Sequence, residues 1–375
     1  MRRLLLVCDN LRNGGAERQL TRLARSLPDD YRVRVFSLDD GPYVEVLREA
    51  GVEVLIARRR SRYDVLPALR LWQEMVRWRP DVVHAWGWMS SAASIMPCRL
   101  LGVPLVDGTI LTGRPPARWT RFKRFLVSRA DAVIANSEAG LVAHGLQRSG
   151  SFVVHNGFES GRVPRDCHRS AASEDRQVEV VMASRMVPGK DFDTLIDVAE
   201  VMSREGRRVR FTLMGDGPDS ERLTARCQAL QDVGLIKILY CAPSEVMPIL
   251  EAADVGVLLA DTRCLAEGLS NSIMEYMACG LPVVATDAGG NPEIVSDGCT
   301  GLLVPPRDSA AVVNALCRLI DEPETARRFG EAGRERIRTQ FSAEAMVEKT
   351  IAVYESVIRG RSAPPRRTHY KRSAH

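Results

Sequence analysis

The chain has 375 residues, more than one ordinary hydrophobic core accommodates, and this predicts two domains. Its hydrophobic content of 45% and charged content of 26% are those of a soluble globular protein, and no apolar run is long enough to span a bilayer. The 9 cysteines lack CxxC spacing and neighbouring histidine clusters, which argues against a disulfide framework or a zinc site and for reduced thiols in a cytoplasmic protein.

The first apolar run, RLLLVCD, is too short for a signal peptide and reads as a buried strand. A helix is predicted from about Ala16 to Leu27, then the strand YRVRVFSL and a helix near Val44 to Ala50. VEVLIA, DVVHAW, PLVDGTI, DAVIANS and SFVVHN continue as strands with helices between most of them. The polar, aperiodic NGFESGRVPRDCHRSAASEDRQ breaks this alternation and reads as a linker. A second alternation follows, with VEVVMAS, VRFTLMG, IKILYC, DVGVLLA, LPVVAT and GLLVPP as strands. Long helices are predicted over Ser309 to Ile320 and Ser342 to Ile358, before a basic tail expected to be disordered. The fold class is therefore α/β, with two Rossmann-like, doubly wound parallel-sheet domains in tandem and a cleft between them. The expected boundaries are 1–165 for the first domain and 176–341 for the second. A helix over 342–360 returns toward the first domain, and the tail covers 361–375.

The net charge of +5 is uneven. Residues 1–165 carry 26 Lys+Arg against 16 Asp+Glu, whereas the remainder carries 26 against 31. The excess includes RRRSR (Arg58 to Arg62) and RWTRFKRF (Arg118 to Phe125), where Trp119, Phe122 and Phe125 interleave with cations. Such a face suits peripheral contact with an anionic membrane or an anionic lipid-linked substrate; a solvated basic helix fits equally well. Charge alone permits nucleic acid, but no recognisable nucleic-acid module accompanies it, and none is expected as a partner.

In doubly wound sheets, ligands bind beyond the carboxyl ends of the strands, so chemistry is sought in loops that follow strands. Gly14 and Gly15 follow the first strand and open a helix, where backbone could approach an anion or simply turn. Arg185 and Lys190 follow the first strand of the second domain and could neutralise a pyrophosphate without a metal. The nearby DFD (Asp191 to Asp193) caps a helix more readily than it binds a metal. Gly215 and Gly217 form either a cleft-lining loop or a bare turn. In EGLSNSIMEYMACGLPVVAT a helix is predicted from about Asn271 to Cys279, capped by Ser270 or Asn271 and ended by Gly280 and Pro282. Glu267 lies before the cap and Glu275 one turn inside. The pair suits a ligand with its diphosphate at the helix amides and hydroxyl-bearing sugars on either side, or serves the helix dipole alone.

EGLSNSIMEYMACGLPVVATDAGGNPEIV resembles the signature of retaining, nucleotide-sugar-dependent glycosyltransferases of the glycosyl group 1 family, family 4 type, with the GT-B fold. GGAERQL, VIANSEA, VVHNGFE, SRMVPGKDFDTLI, LMGDGP, DGCTGLLVPPRD and FSAEAMVEKTIAVYESV follow the expected order, so the likeness covers most of the chain. The resemblance implies that Glu267 contacts the transferred sugar and that Arg185 and Lys190 stabilise the leaving diphosphate. It implies that Glu275 binds the ribose hydroxyls and that Gly268, Leu269, Ser270 and Asn271 face the phosphates and sugar. Gly14 and Gly15 would reach the donor from the first domain, and Cys241 and Ala242 would border the base. The expected activity is transfer of a hexose from a UDP- or GDP-sugar to a glycan or lipid-linked acceptor in cell-surface polysaccharide or glycolipid synthesis. No metal and no cofactor beyond the donor substrate are expected. A non-catalytic nucleotide-sugar binder and an epimerase of the same fold are the alternatives; the missing dinucleotide fingerprint argues against a dehydrogenase. Two departures stand out. Relatives often carry a first-domain histidine where this chain has Thr109, Ile110, Leu111 and Thr112, with Arg114 after them, and extra residues precede Glu267 in LLADTRCLAEGL. His84, read as lying at a strand end, and Arg114 are acceptor-side candidates.

Overall fold

The structure, a computed structural model, describes residues 1–12, 14–61, 64–110, 121–159, 161, 176–240, 245–264 and 267–362. Most of the expected linker and nearly all of the basic tail lie outside the described residues. The first alternation runs β1 (Arg2–Cys8), α1 (Gly15–Ser26), β2 (Tyr31–Ser37), α2 (Tyr43–Glu49), β3 (Glu53–Ile56), α3 (Leu66–Trp78) and β4 (Val82–Trp86). It continues with α4 (Trp88–Leu101), β5 (Leu105–Ile110), α5 (Arg121–Ser128), β6 (Ala132–Ala135), α6 (Glu138–His144) and β7 (Ser151–Val153). The second comprises β8 (Val178–Ala183), α7 (Phe192–Arg204), β9 (Val209–Met214), α8 (Ser220–Asp232), β10 (Ile236–Leu239), α9 (Val246–Ala252) and β11 (Val255–Leu258). After it come α10 (Asn271–Ala278), β12 (Val283–Thr286), α11 (Asn291–Ile294), β13 (Gly301–Val304), α12 (Ser309–Asp321), α13 (Pro323–Gln340) and α14 (Ala343–Ser362).

Among the described residues there is a seven-stranded sheet, β3-β2-β1-β4-β5-β6-β7, and a six-stranded sheet, β10-β9-β8-β11-β12-β13. β1 pairs in parallel with β2 and β4, and β8 pairs in parallel with β9 and β11. Each sheet therefore reverses its winding beside its first strand, which puts a switch point between β8 and β11. The central strands are apolar throughout because helices cover both faces: Leu4, Leu5, Leu6 and Val7 have no exposed surface, nor have Val180 and Met182. One compact unit holds Met1–Thr109 and the described parts of Thr120–Ile134 and Glu348–His375; the other holds Ala135–Val347 as far as described.

The strands and the caps follow the sequence reading closely, but α13 was not anticipated. Its eighteen residues are mostly polar, and it buries only Phe329, Gly330, Gly333 and Ile337. Gly330 lies so near the end of α10 that a Cβ there would stand 2.0 Å from the Gly280 carbonyl oxygen. No described helix is long and apolar enough to cross a membrane. No disulfide joins the seven described cysteines.

Candidate active site

The loop after β8 is set by backbone contacts. The Ser184 amide donates to Met214 O (2.8 Å) and the Met186 amide to Asp216 O (2.9 Å). Gly215 and Gly217 have φ of +144° and +159°, and a Cβ on them would fall 1.9 Å from Ser184 O and 2.2 Å from Met186 O. The two glycines thus let one loop lie directly on the other, a role beyond a bare turn. Arg185 sits exposed on that support. Asp191 caps α7, accepting from the Thr194 amide at 3.2 Å and the Thr194 hydroxyl at 2.7 Å. Asp193 is bound by Arg222 and Arg226. The Arg222 hydrogen bonds hold its carboxyl below the usual range, so both acids of DFD are engaged within the fold.

Lys190 continues the same loop. Its residue forms a single antiparallel bridge with Ala260, and the Asp261 amide donates to Gly189 O (2.9 Å). The loops after β8 and β11 are thereby fastened together at the switch point. Asp261 is clasped by Arg263 through side-chain and backbone hydrogen bonds, which lower its carboxyl to about 2. The Lys190 ammonium forms an ion pair with Glu267 Oε1, with side chains only 10% and 14% exposed. Largely withdrawn from water, this pair is coupled more strongly than a surface salt bridge.

Behind Glu267, backbone meets backbone again. The Gly290 amide donates to Glu267 O at 2.9 Å. A Cβ on Gly289 (φ +59°) would lie 2.2 Å from Glu267 O, and one on Gly290 would lie 2.5 Å from Gly268 O. Leu269 O accepts from Asn156 Nδ2 at 3.1 Å, and the same amide reaches Asn271 Oδ1 at 3.3 Å. Carbonyls of this loop are therefore held from behind at Glu267 and Leu269.

α10 starts as its sequence predicts. Ser270 is the cap, accepting from the Ile273 amide at 3.5 Å, and Gly280 (φ +72°) follows the helix. Glu275 is 6% exposed within the first turns of the helix. Tyr276 is fully buried; its hydroxyl accepts from the Ala183 amide at 2.6 Å and donates to Ala183 O at 3.3 Å. α10 is thus tied to the end of β8, the strand that leads into the loop of Arg185 and Lys190. Burial pushes the Tyr276 phenol up, so it stays a neutral hydrogen-bonding group.

The first unit holds the remaining described candidates. Gly14 is the α1 cap residue, and a Cβ there would stand 2.0 Å from the Glu17 carboxylate, which folds back over the helix start. Burial raises the Glu17 carboxyl, with nearby Asp9 adding to it. His84 is in the middle of β4, not at a strand end, and is 1% exposed. Its Nδ1 lies 2.7 Å from Tyr354 Oη, and burial depresses the imidazole to about 3. Thr109, the first residue of the stretch without the expected histidine, is buried and donates to Asp107 through its amide (3.0 Å) and hydroxyl (2.6 Å). Arg114, Cys241 and Ala242 lie outside the described residues, as do Arg118 to Thr120 of RWTRFKRF, whose remaining residues begin α5. Among the described residues no group of three His, Cys, Asp or Glu is placed to hold a metal ion.

Residues 165–336 match the model of the glycosyl transferases group 1 family, and residues 13–162 match that of glycosyltransferase family 4. The chain is 30% identical over 315 residues to the alpha-maltose-1-phosphate synthase of Mycolicibacterium smegmatis, covering 74% of this chain and 79% of that protein. The chain belongs to the group 1 glycosyltransferases of family 4 type. This glycosyltransferase is also 37% identical over 164 residues to the M. smegmatis GDP-mannose-dependent alpha-(1-6)-phosphatidylinositol monomannoside mannosyltransferase, 43% of each chain. Its two-domain fold is GT-B. Anabaena HepE, in complex with UDP and glucose, superposes with a TM-score of 0.79 at 22% identity over 95% of this chain and 100% of that one.

In the transferase, the second unit brings Lys190 and Glu267 into contact, with Arg185 and residues 268–270 on the same interlocked loops and Asn271 and Glu275 on α10, which follows. Sequence reasoning missed the supports: Asn156, Gly289, Gly290 and Tyr276. The only signal for the first three was their presence in the family-like stretches VVHNGFE and DAGGNPEIV.

Proposed function

We propose that this glycosyltransferase moves a hexose from a UDP- or GDP-sugar to a glycan or lipid-linked acceptor in polysaccharide or glycolipid synthesis, with retention of configuration and without a metal. The Lys190–Glu267 pair beside the α10 N-terminus carries the reading. A cation, a carboxylate and helix-end amides converge on loops at the switch point of one sheet, the set that a diphosphate bonded to a sugar requires. HepE bound to UDP-glucose and the GDP-mannose-dependent mannosyltransferase support a nucleotide-sugar donor.

Breaking the anomeric C–O bond leaves negative charge on the departing diphosphate. Lys190, Arg185 and the amides of Gly268 to Asn271 stabilise that charge as it develops. With donor bound, Lys190 exchanges its carboxylate partner for phosphate, and Glu267 is released to accept hydrogen bonds from sugar hydroxyls. Glu275 takes the ribose hydroxyls. The acceptor hydroxyl attacks from the face that the phosphate leaves, and its proton passes to the departing phosphate oxygen.

The test is a thermal-shift screen of the full chain against UDP, GDP, ADP, TDP and their sugars, with Lys190→Ala as control, followed by product analysis with and without acceptor glycans. Ligand that binds the native state must raise its stability by mass action. One base should stabilise the wild type and do so less in Lys190→Ala. Sugar epimerised without acceptor, or no nucleotide effect at saturation, would defeat the transferase site as drawn.

A further inference from the structure

α3 and α4 lie side by side on one face of the seven-stranded sheet. Leu71, Met75 and Trp78 of α3 and Cys98 of α4 share a single core with Leu5 and Val7 of β1. A helix so placed ordinarily turns a polar side to water. Here the outer sides expose large apolar residues among Arg70, Gln73 and Arg77. At the start and along the length of α3, Val65, Leu66, Leu69 and Val76 are 66%, 51%, 55% and 46% exposed. On α4, Met89, Met96 and Leu100 are 40%, 66% and 66% exposed, and their spacing of seven and four sets them on one stripe. Isolated exposed apolar side chains need no explanation, but stripes on two adjacent helices mark a contact surface.

The exposed charged residues beside these stripes are of one sign. Arg70, Arg77 and Arg99 are exposed. α4 has no acidic residue, and the one acid of α3, Glu74, is drawn to Arg34 with its side chain 14% exposed. Where α3 begins, a cavity of about 540 Å³ is lined by Arg58, Arg60 and Arg70, with Asp40 and Asp64 among its other walls. Both acids are engaged within the protein: Asp40 pairs with Arg58, which balances that arginine as well, and Asp64 accepts from the amides of Arg60 and Leu66.

We propose that the α3–α4 face seats this unit on an anionic lipid surface, with the apolar stripes at the headgroup–acyl boundary and the arginines on lipid phosphates. An apolar stripe alone would also suit a protein. The cationic border and the arginine-lined cavity favour a dense array of phosphate-bearing head groups. The inference deepens the reading of a lipid-linked acceptor, but its test does not use the donor site, so the two fail separately.

The full chain is floated with vesicles of phosphatidylcholine and phosphatidylglycerol, and with phosphatidylcholine alone, at low and high salt. Two variants are compared: Leu69→Glu with Met96→Glu, and Arg58→Gln with Arg60→Gln and Arg70→Gln. The wild type should float with the anionic vesicles, less so at high salt, and each variant should lose at least about tenfold in partitioning while keeping the wild-type unfolding temperature. No flotation of the wild type with anionic vesicles overturns the proposal, as does full retention of binding by the two folded variants. A wild-type dimer lost in Leu69→Glu with Met96→Glu, without flotation, would assign the face to a second copy instead.

Discussion

Replacing Gly290 by alanine asks whether the backbone contact behind Glu267 sets the geometry of the site. Its φ of −84° is open to any residue, so the substitution brings no backbone strain of its own. The added Cβ would fall 2.5 Å from Gly268 O, about 0.9 Å inside the 3.4 Å at which ordinary contact begins. The obstacle is backbone, so the Gly268 segment must shift by roughly that distance. Overpacking of this kind costs about 2 kcal/mol, or about 4–8 °C in Tm for a domain of this size. A displacement near 1 Å at a reacting centre costs about 100-fold in rate, equivalent to about 2.7 kcal/mol. The assay is kcat at saturating donor together with the donor-induced thermal shift. Gly360→Ala is the control, because a Cβ there meets nothing within 4 Å. Turnover by Gly290→Ala within about threefold of wild type would refute the idea that this contact positions the 268–271 segment.

Two further outcomes follow from buried groups. His84 is depressed to about 3 by burial, from 6.5, so the unfolded chain binds a proton that the folded chain refuses. Stability is full above the unfolded value and falls as pH drops toward 3; between pH 7 and 5 the loss is about 2 kcal/mol. Urea titrations of His84→Asn should show a pH dependence flatter by that amount, and parallel curves would remove His84 as its source. Tyr276→Phe takes away the acceptor of the buried Ala183 amide. It should lower the denaturant midpoint by an equivalent of about 1–3 kcal/mol at unchanged slope, and an unchanged midpoint would count against the tether between α10 and β8.

What could be read from the sequence was local. Ser270, Gly280 and Pro282 bracket α10 within a dozen residues, and Asp191 announces the start of α7, because capping is decided by near neighbours. The apolar runs marked the strands because both faces of each sheet are covered. α13 escaped because its polar composition gives a thin apolar stripe, and two of its buried positions are glycines whose value is close approach. The hydrogen bond from Asn156 to Leu269 O crosses 113 positions, and the Gly290 contact with the Glu267 loop is equally invisible to periodicity. Those partners are chosen by the sheet order, which no short window contains.

The ion pair between Lys190 and Glu267 also fixes how salt should act on the empty and filled site. Each charge already has its counter-charge from the chain itself, so the resting lysine holds no mobile anion from solution. On the proposed reading, an entering diphosphate would displace a tethered carboxylate and free few small ions at Lys190. Raising the ionic strength weakens the incoming contact and the outgoing one together, and the two effects oppose each other in the dissociation constant. On the proposed reading, recognition at this lysine is an exchange of one anionic partner for another, and its dependence on salt should be correspondingly shallow.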